Sequence, residues 1–185
     1  MSDTPFKVVG SRIVYQNKHV IAHVDTLESE SKQWEQVYLA KHLPDIDVGV
    51  IPYENGGVYM LYQYRRANDR YFWQFPGGAG EMGEALGDAA SRELSEETGF
   101  VAGKLDIIGL TCNEPGLVQL RTTIFVATDL VKGLRDIEHT EIGMKLKFFT
   151  IDQVEEMIKK GEIQCGFALS AWTFFRNYLQ SHELT

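Results

Sequence analysis

Residues 77 to 100 read Gly-Gly-Ala-Gly-Glu-Met-Gly-Glu-Ala-Leu-Gly-Asp-Ala-Ala-Ser-Arg-Glu-Leu-Ser-Glu-Glu-Thr-Gly-Phe. A run of glutamates on a helix is ordinarily a solvated face. Periodicity argues otherwise here. At about 100° of rotation per residue, Glu93 and Glu97 fall on the arc of Leu86, Ala89 and Ala90, while Asp88, Ser91, Arg92 and Ser95 occupy the opposite side. Two carboxylates one turn apart and withdrawn from water repel each other and lose hydration unless a cation neutralises them. Carboxylate oxygens with no thiolate or imidazole cluster nearby suit a hard ion, Mg²⁺ or Mn²⁺, rather than zinc. Glu96 flanks the same arc, within reach as a further ligand. Arg92, one turn before Glu96, offers a planar guanidinium that can hold carboxylates in place. The glycines ahead of the helix, Gly77 and Gly78 among them, let bare backbone approach phosphates and present N–H groups or a carbonyl. Together these residues point to metal-assisted chemistry on a phosphate.

Elements on either side must hold this segment. The spacing predicts a helix from about Glu84 to Thr98, ended by Gly99. Ahead of it, Ser11 to Tyr15, His19 to Val24 and Trp34 to Leu39 read as an antiparallel meander with a turn at Gln16-Asn17-Lys18. Pro44 and Asp45 break that pattern. A second sheet begins with Val48 to Ile51 and Val58 to Tyr62, joined through Asn55-Gly56-Gly57, a sequence suited to a tight hairpin. The Pro76 to Gly80 stretch reads as a loop. Strands are expected at 104–110, 122–128 and 145–151, then a helix from Asp152 to Lys160 and a last one from about Ala168 to Leu179. In that last helix Leu169, Trp172, Phe175 and Leu179 form a packing stripe. Strands and helices mixed with hairpins give an α/β (α+β) class, an α/β/α sandwich around a mixed sheet. The expected organisation is an amino-terminal β-meander over residues 1–44 followed by a main domain over 45–185.

With 185 residues, of which 44% are hydrophobic, the chain can bury one sizeable core and a small appendage. A formal charge of −8 gives no broad basic footprint, which argues against nucleic acid as a partner. Cys112 and Cys165 are the two cysteines and suggest neither a disulfide framework nor a zinc site. The opening MSDTPFKVVG has no long apolar run, and no stretch is apolar enough to span a bilayer. A cytoplasmic protein without membrane association is expected.

The segment resembles the signature of the Nudix family, G-x5-E-x7-R-E-U-x-E-E-x-G-U with U apolar. Gly78, Glu84, Arg92, Glu93, Leu94, Glu96, Glu97, Gly99 and Phe100 fill every defined position. The resemblance implies the Nudix sandwich over roughly residues 45 to 180, and hydrolysis of a nucleoside diphosphate linked to another moiety. By analogy Glu93 and Glu97 are the main metal ligands, Glu96 an additional one and the main-chain carbonyl of Gly77 a further one. In mechanism, metal ions neutralise the diphosphate and lower the pKa of the attacking water.

Within the family, other features are similar to the ADP-ribose and nucleoside diphosphate sugar pyrophosphatases. Arg65 stands at a strand end before Trp73-Gln74-Phe75-Pro76-Gly77-Gly78, where it would contact the diphosphate. Pro115, with Gly116 and Leu117 after it, lies fifteen positions beyond Phe100, a placement associated with the ADP-ribose group. The amino-terminal meander in such enzymes builds a homodimer and lends residues to the nucleotide pocket, where Trp34 could stack on a base. Gln74 departs from the Glu of many relatives, and Val118-Gln119 occupy positions where an acid is common, so the pattern does not fix base or sugar. The general base in such enzymes lies outside the signature. Arg135 to Ile142 is the acidic stretch for it, with Glu141 favoured, Glu138 second and His139 third. The leading function is therefore pyrophosphate hydrolysis in a nucleoside diphosphate sugar, ADP-ribose first, with GDP-mannose or another such sugar as an alternative. Rival readings are a house-cleaning nucleoside triphosphatase or RNA 5′ pyrophosphohydrolase, and a nucleotide sensor without turnover.

Overall fold

In the computed structural model, residues 4–30, 32–42, 47–133 and 143–182 are described. The β-branched and aromatic runs of the first forty positions form β1 (Lys7–Gln16), β2 (Ile21–Ser29) and β3 (Lys32–Ala40), paired antiparallel in sequence order. A short strand, β9 (Val118–Gln119), adds parallel to β3 through Leu39↔Val118 and Ala40↔Gln119. Residues Met1–Pro44 and Cys112–Arg121 accordingly form one compact unit.

The second unit comprises Asp45–Thr111 and Thr122–Thr185. Its sheet contains β4 (Asp47–Glu54), β5 (Gly57–Arg65), β8 (Phe100–Thr111), β10 (Thr122–Lys132) and β11 (Lys145–Thr150) in the order β11-β5-β4-β10-β8. β10 runs parallel to β4 and antiparallel to β8, so the sheet is mixed. Two further strands extend it. β6 (Arg70–Gln74) pairs with β5, and β7 (Gly77–Ala79) pairs with β4 through Gly78↔Val48. The Gly-rich stretch read as a loop is therefore partly strand. Its pairing is decided by β4, not by local propensity.

Side-chain alternation along the central strands divides the core. Val48 and Val50 of β4 and Phe125 and Ala127 of β10 pack with Ala89, Ala90 and Leu94 of helix α1 (Leu86–Thr98). Ile51, Ile124 and Val126 meet Val154 and Met157 of α2 (Ile151–Lys159) and Trp172, Phe175 and Leu179 of α3 (Gly166–Ser181). One sheet thus lies between helices on both faces, the expected α/β/α sandwich. α2 opens on a capping box, in which Thr150 Oγ1 accepts from the Gln153 N–H at 3.2 Å and Gln153 Oε1 accepts from the Thr150 N–H at 2.9 Å.

Candidate active site

Helix α1 starts at Leu86, two residues later than its sequence pattern suggests. Glu84 is excluded because its carboxylate turns back on the chain before it, accepting from the Glu81 N–H at 2.8 Å and from Arg92 at 3.0 Å and 3.2 Å. Ala85 supplies no side-chain cap, and Gly99 closes the other end at φ 77°. Along the helix Glu93 and Glu97 are buried with Ala89, Ala90 and Leu94, as the periodicity requires. Glu97 is 2% exposed and accepts from the Gly77 N–H at 2.7 Å. Glu93 lies flat against Gly78, where a Cβ would stand 2.4 Å from its Oε1. Gly78 is therefore required by the carboxylate itself, apart from any approach to phosphate.

Arg92 gathers the rest. Besides Glu84, its guanidinium donates to Glu93 Oε1 at 2.9 Å, to Glu96 Oε2 at 3.0 Å and to the Ala79 carbonyl at 2.9 Å. The hydrogen bonds from Arg92, and then that from the Glu81 N–H, hold the Glu84 carboxyl below the usual carboxylate range. In return Arg92, held first by Glu84, is raised beyond its already high value and stays charged. Among the described residues no three carboxylates converge as a closed ion cage. The donor set is nevertheless that of a hard cation: Glu84, Glu93 and Glu96 already share one positive charge, and every donor atom is oxygen. Glu93, Glu96 and Glu97, with the main chain at Gly77, thus fit a divalent ion in chemistry.

Arg65, at the end of β5, donates from Nε to Gln74 Oε1 at 3.1 Å. Gln74 is followed by Phe75, Pro76 and Gly77, so the strand carrying it leads into β7, whose first residue meets Glu97.

In the other unit, Pro115, Gly116 and Leu117 line a cavity of about 310 Å³ together with Gln36, Tyr38, Val118 and Gln119. The Leu117 and Val118 N–H groups both donate to the Glu114 carbonyl, and the Leu39 N–H donates to the Leu117 carbonyl, which fixes this loop on β3. Burial, and then the Asp25 carboxylate, raises the Tyr38 phenol, so it is a neutral donor at pH 7. Trp34 does not line the cavity; it is 41% exposed and meets Phe6 edge-on at 5.9 Å. Gln36 and Tyr38 escaped the sequence reading, although they follow Trp34 at spacings of two on one strand face. Glu138 and Glu141 lie outside the described residues. No helix of the described residues is long and apolar enough to cross a membrane.

Comparison with known proteins bears on the acidic helix directly. The NUDIX domain family matches residues 43–165, which include all of it. The chain is similar to an ADP-ribose pyrophosphatase of Mycobacterium tuberculosis, 29% identical over 63% of this chain and 58% of that protein. It thus spans little more than half the length of that relative. An ADP-ribose pyrophosphatase of Bacillus subtilis is 24% identical over 85% of each chain. A solved structure of an ADP compounds hydrolase superposes with a TM-score of 0.82, covering 98% of both chains at 21% identity, which shows a shared fold.

Proposed function

The chain belongs to the NUDIX domain family, and from that premise we propose that this Nudix hydrolase is divalent-metal-dependent and cleaves the pyrophosphate of nucleoside diphosphate sugars. ADP-ribose is the favoured substrate, giving AMP and ribose 5-phosphate. The observation that carries the reading is the pair Glu93 and Glu97, buried one turn apart on α1 with Glu97 against the Gly77 backbone. Burying two carboxylates costs stability, and the single guanidinium of Arg92 is already shared by Glu84, Glu93 and Glu96, so a divalent ion would supply the further positive charge this cluster favours. The names of the relatives from Mycobacterium tuberculosis and Bacillus subtilis support the choice of ADP-ribose.

Glu93 and Glu97, with Glu96 and the Gly77 carbonyl, would hold Mg²⁺ (or Mn²⁺), and Arg92 orients the carboxylates. When bound, such an ion neutralises the diphosphate and lowers the pKa of the attacking water. Arg65 contacts the diphosphate, and Gly78 offers it bare backbone. Glu141 takes the proton from water, with Glu138 as the second candidate. Pro115, Gly116 and Leu117, joined by Gln36 and Tyr38, receive the nucleoside, and Trp34, on the same face of β3, offers a stacking plane. A homodimer covers the apolar side chains that β1 and β3 leave exposed, among them Val8, Ile13, Val14 and Val37. The meander over residues 1–44 is the dimerisation element, and light scattering that returns a monomer at micromolar concentration would reject it.

The test is a panel of ADP-ribose, GDP-mannose, nucleoside triphosphates and 5′-triphosphorylated RNA with Mg²⁺ or Mn²⁺, products separated by chromatography. AMP and ribose 5-phosphate from ADP-ribose are the expected products. Faster turnover of triphosphates or RNA would replace the reading, and binding without turnover of any member would make the protein a sensor. Glu141→Gln should depress kcat far more than KM, and a larger loss in Glu138→Gln would exchange their roles.

A further inference from the structure

Two buried amides stand behind Arg65. Gln63 and Gln74 are each 4% exposed, which for glutamine demands satisfied hydrogen bonds. Gln74 Nε2 donates to Gln63 Oε1 at 2.6 Å, and Gln74 Oε1 accepts from Arg65 Nε at 3.1 Å. Chemistry fixes the direction of this chain. A guanidinium only donates, so the Gln74 oxygen must face Arg65 and its NH₂ must face Gln63, whose oxygen must then point forward. Neither amide can flip without setting donor against donor. The cross-strand register puts Gln63 opposite Phe72 and Leu61 opposite Gln74, so the relay runs diagonally within one hairpin.

The occupant of position 74 decides what Arg65 has left to give. A carboxylate there would hold the guanidinium equally well but cancel its charge. An amide holds it through Nε and leaves the charge standing. Among the described residues no carboxylate forms an ion pair with Arg65, whereas the next arginine, Arg66, has Asp69 beside it at 3.7 Å. The residue facing Arg65 across the hairpin is a further cation, Arg70. An exposed arginine normally loses side-chain entropy when it binds an anion; a guanidinium fixed at Nε has lost part of it beforehand. A guanidinium held at Nε keeps its two terminal NH₂ groups as a planar fork, the geometry that matches two phosphate oxygens.

We propose that Gln74, backed by Gln63, is a positioning residue that aims the Arg65 guanidinium at the substrate's diphosphate while leaving its positive charge uncancelled. This rests on the role given to Arg65 in the proposed function. It adds a neutral relay that sets how strongly the site attracts an anionic substrate, separately from the acidic helix that carries the metal.

The experiment is a double-mutant cycle on ADP-ribose with Mg²⁺, comparing wild type, Gln74→Leu, Arg65→Ala and the double variant, with Gln74→Glu as a fifth protein. Gln74→Leu should raise KM about tenfold while kcat falls by less than about threefold, the loss expected of a hydrogen bond to a charged group used in binding. In the Arg65→Ala background the same substitution should move KM by less than about twofold, because the residue through which it acts is gone. Gln74→Glu should also raise KM, and should flatten its rise with added salt, since the attracting charge is cancelled. An equal KM penalty with and without Arg65, or a loss confined to kcat, would overturn the relay. So would an unchanged or lower KM in Gln74→Glu. Should Gln74→Leu not fold, Gln63→Met removes the acceptor behind Gln74 and enters the same cycle. If the wild type leaves ADP-ribose intact, the substrate reading fails on its own. The relay is then read from calorimetric binding of inorganic pyrophosphate with Mg²⁺ to the same proteins, where an additive cycle would reject it.

Discussion

Helices α1 and α3 cover opposite faces of one sheet and fill their buried positions differently. α3 buries Ala168, Ala171, Trp172, Phe175 and Leu179, a stripe whose polar exception is the indole N–H, given to Glu155 at 3.0 Å. α1 buries Ala89, Ala90 and Leu94, but gives Glu93 and Glu97 places on the same face. Small alanines bring α1 close to the sheet, so its carboxylates arrive at the Gly77-Gly78 backbone instead of stopping short in solvent. One helix is spent on stability, and the other gives some up to hold negative charge where a cation can use it.

That division predicts opposite responses. Phe175 is fully buried and packs against Tyr53 and Trp172 at ring-centroid distances of 5.3 Å each. Phe175→Ala should lower unfolding free energy by about 3–5 kcal/mol in urea titration, through lost transfer energy and the cavity left behind. Its effect on turnover in the surviving folded fraction should be slight. A stability loss below about 1 kcal/mol would mean that the core relaxes around the cavity and that α3 is no more structural than α1.

The converse change is Glu97→Gln. The amide oxygen can still accept from Gly77, so the fold keeps its hydrogen bond while the site loses a buried negative charge. Turnover should fall by a factor on the order of 10² or more, as removal of a metal ligand does. With chelator present, the melting temperature should hold or rise, because a like-charge neighbour of Glu93 is gone. Near-normal turnover would sink the ligand assignment. A sharp fall in melting temperature without metal would instead make Glu97 a structural residue, erasing the contrast with α3.

How much of this was legible in the sequence depended on the range of the forces involved. The burial of Glu93 and Glu97 could be read because helical rotation alone places them with Leu86 and Ala90. The stripe of Trp172, Phe175 and Leu179 followed from the same rule. Glu84 has good helix propensity, and its bonds to Arg92 and Glu81, which local pattern does not show, keep it out of α1. β9 pairs Val118 with Leu39, far apart in the sequence, a partnership without local trace. The Gln63, Gln74 and Arg65 relay depends on cross-strand register, so Gln74 showed in sequence merely as a departure from pattern. Gln36 and Tyr38 share a face of β3 with Trp34 by strand alternation, but only the Pro115 loop, distant in sequence, makes them part of a cavity.

A smaller effect tests whether α3 is purely a packing element. Tyr178, on α3, donates its hydroxyl to Asp106 Oδ2 on β8 at 2.8 Å, where Lys104 Nζ also stands at 2.6 Å. Lys104 first, and then Tyr178, holds the Asp106 carboxyl below its usual range. Burial first, and then the bond to Asp106, pushes the Tyr178 phenol up to about 12. The two shifts act at opposite ends of the pH scale. A depressed acid contributes stability that is present above the ordinary aspartate value, about 4, and is lost as pH falls through the lower folded value. A raised phenol contributes stability that is complete below the ordinary tyrosine value, about 10, and is lost as pH rises toward the folded value. Tyr178→Phe keeps the ring and removes the hydroxyl, so near neutral pH it should cost about 1 kcal/mol in urea titration. The gap between wild type and variant should narrow above about pH 10, where the unfolded wild type ionises its tyrosine and the phenylalanine variant has nothing there to ionise. It should narrow again below about pH 4 as Asp106 takes up its proton. A gap that stays constant from acid to alkali would show that the hydroxyl serves only to fill space, leaving α3 joined to β8 by apolar contact alone.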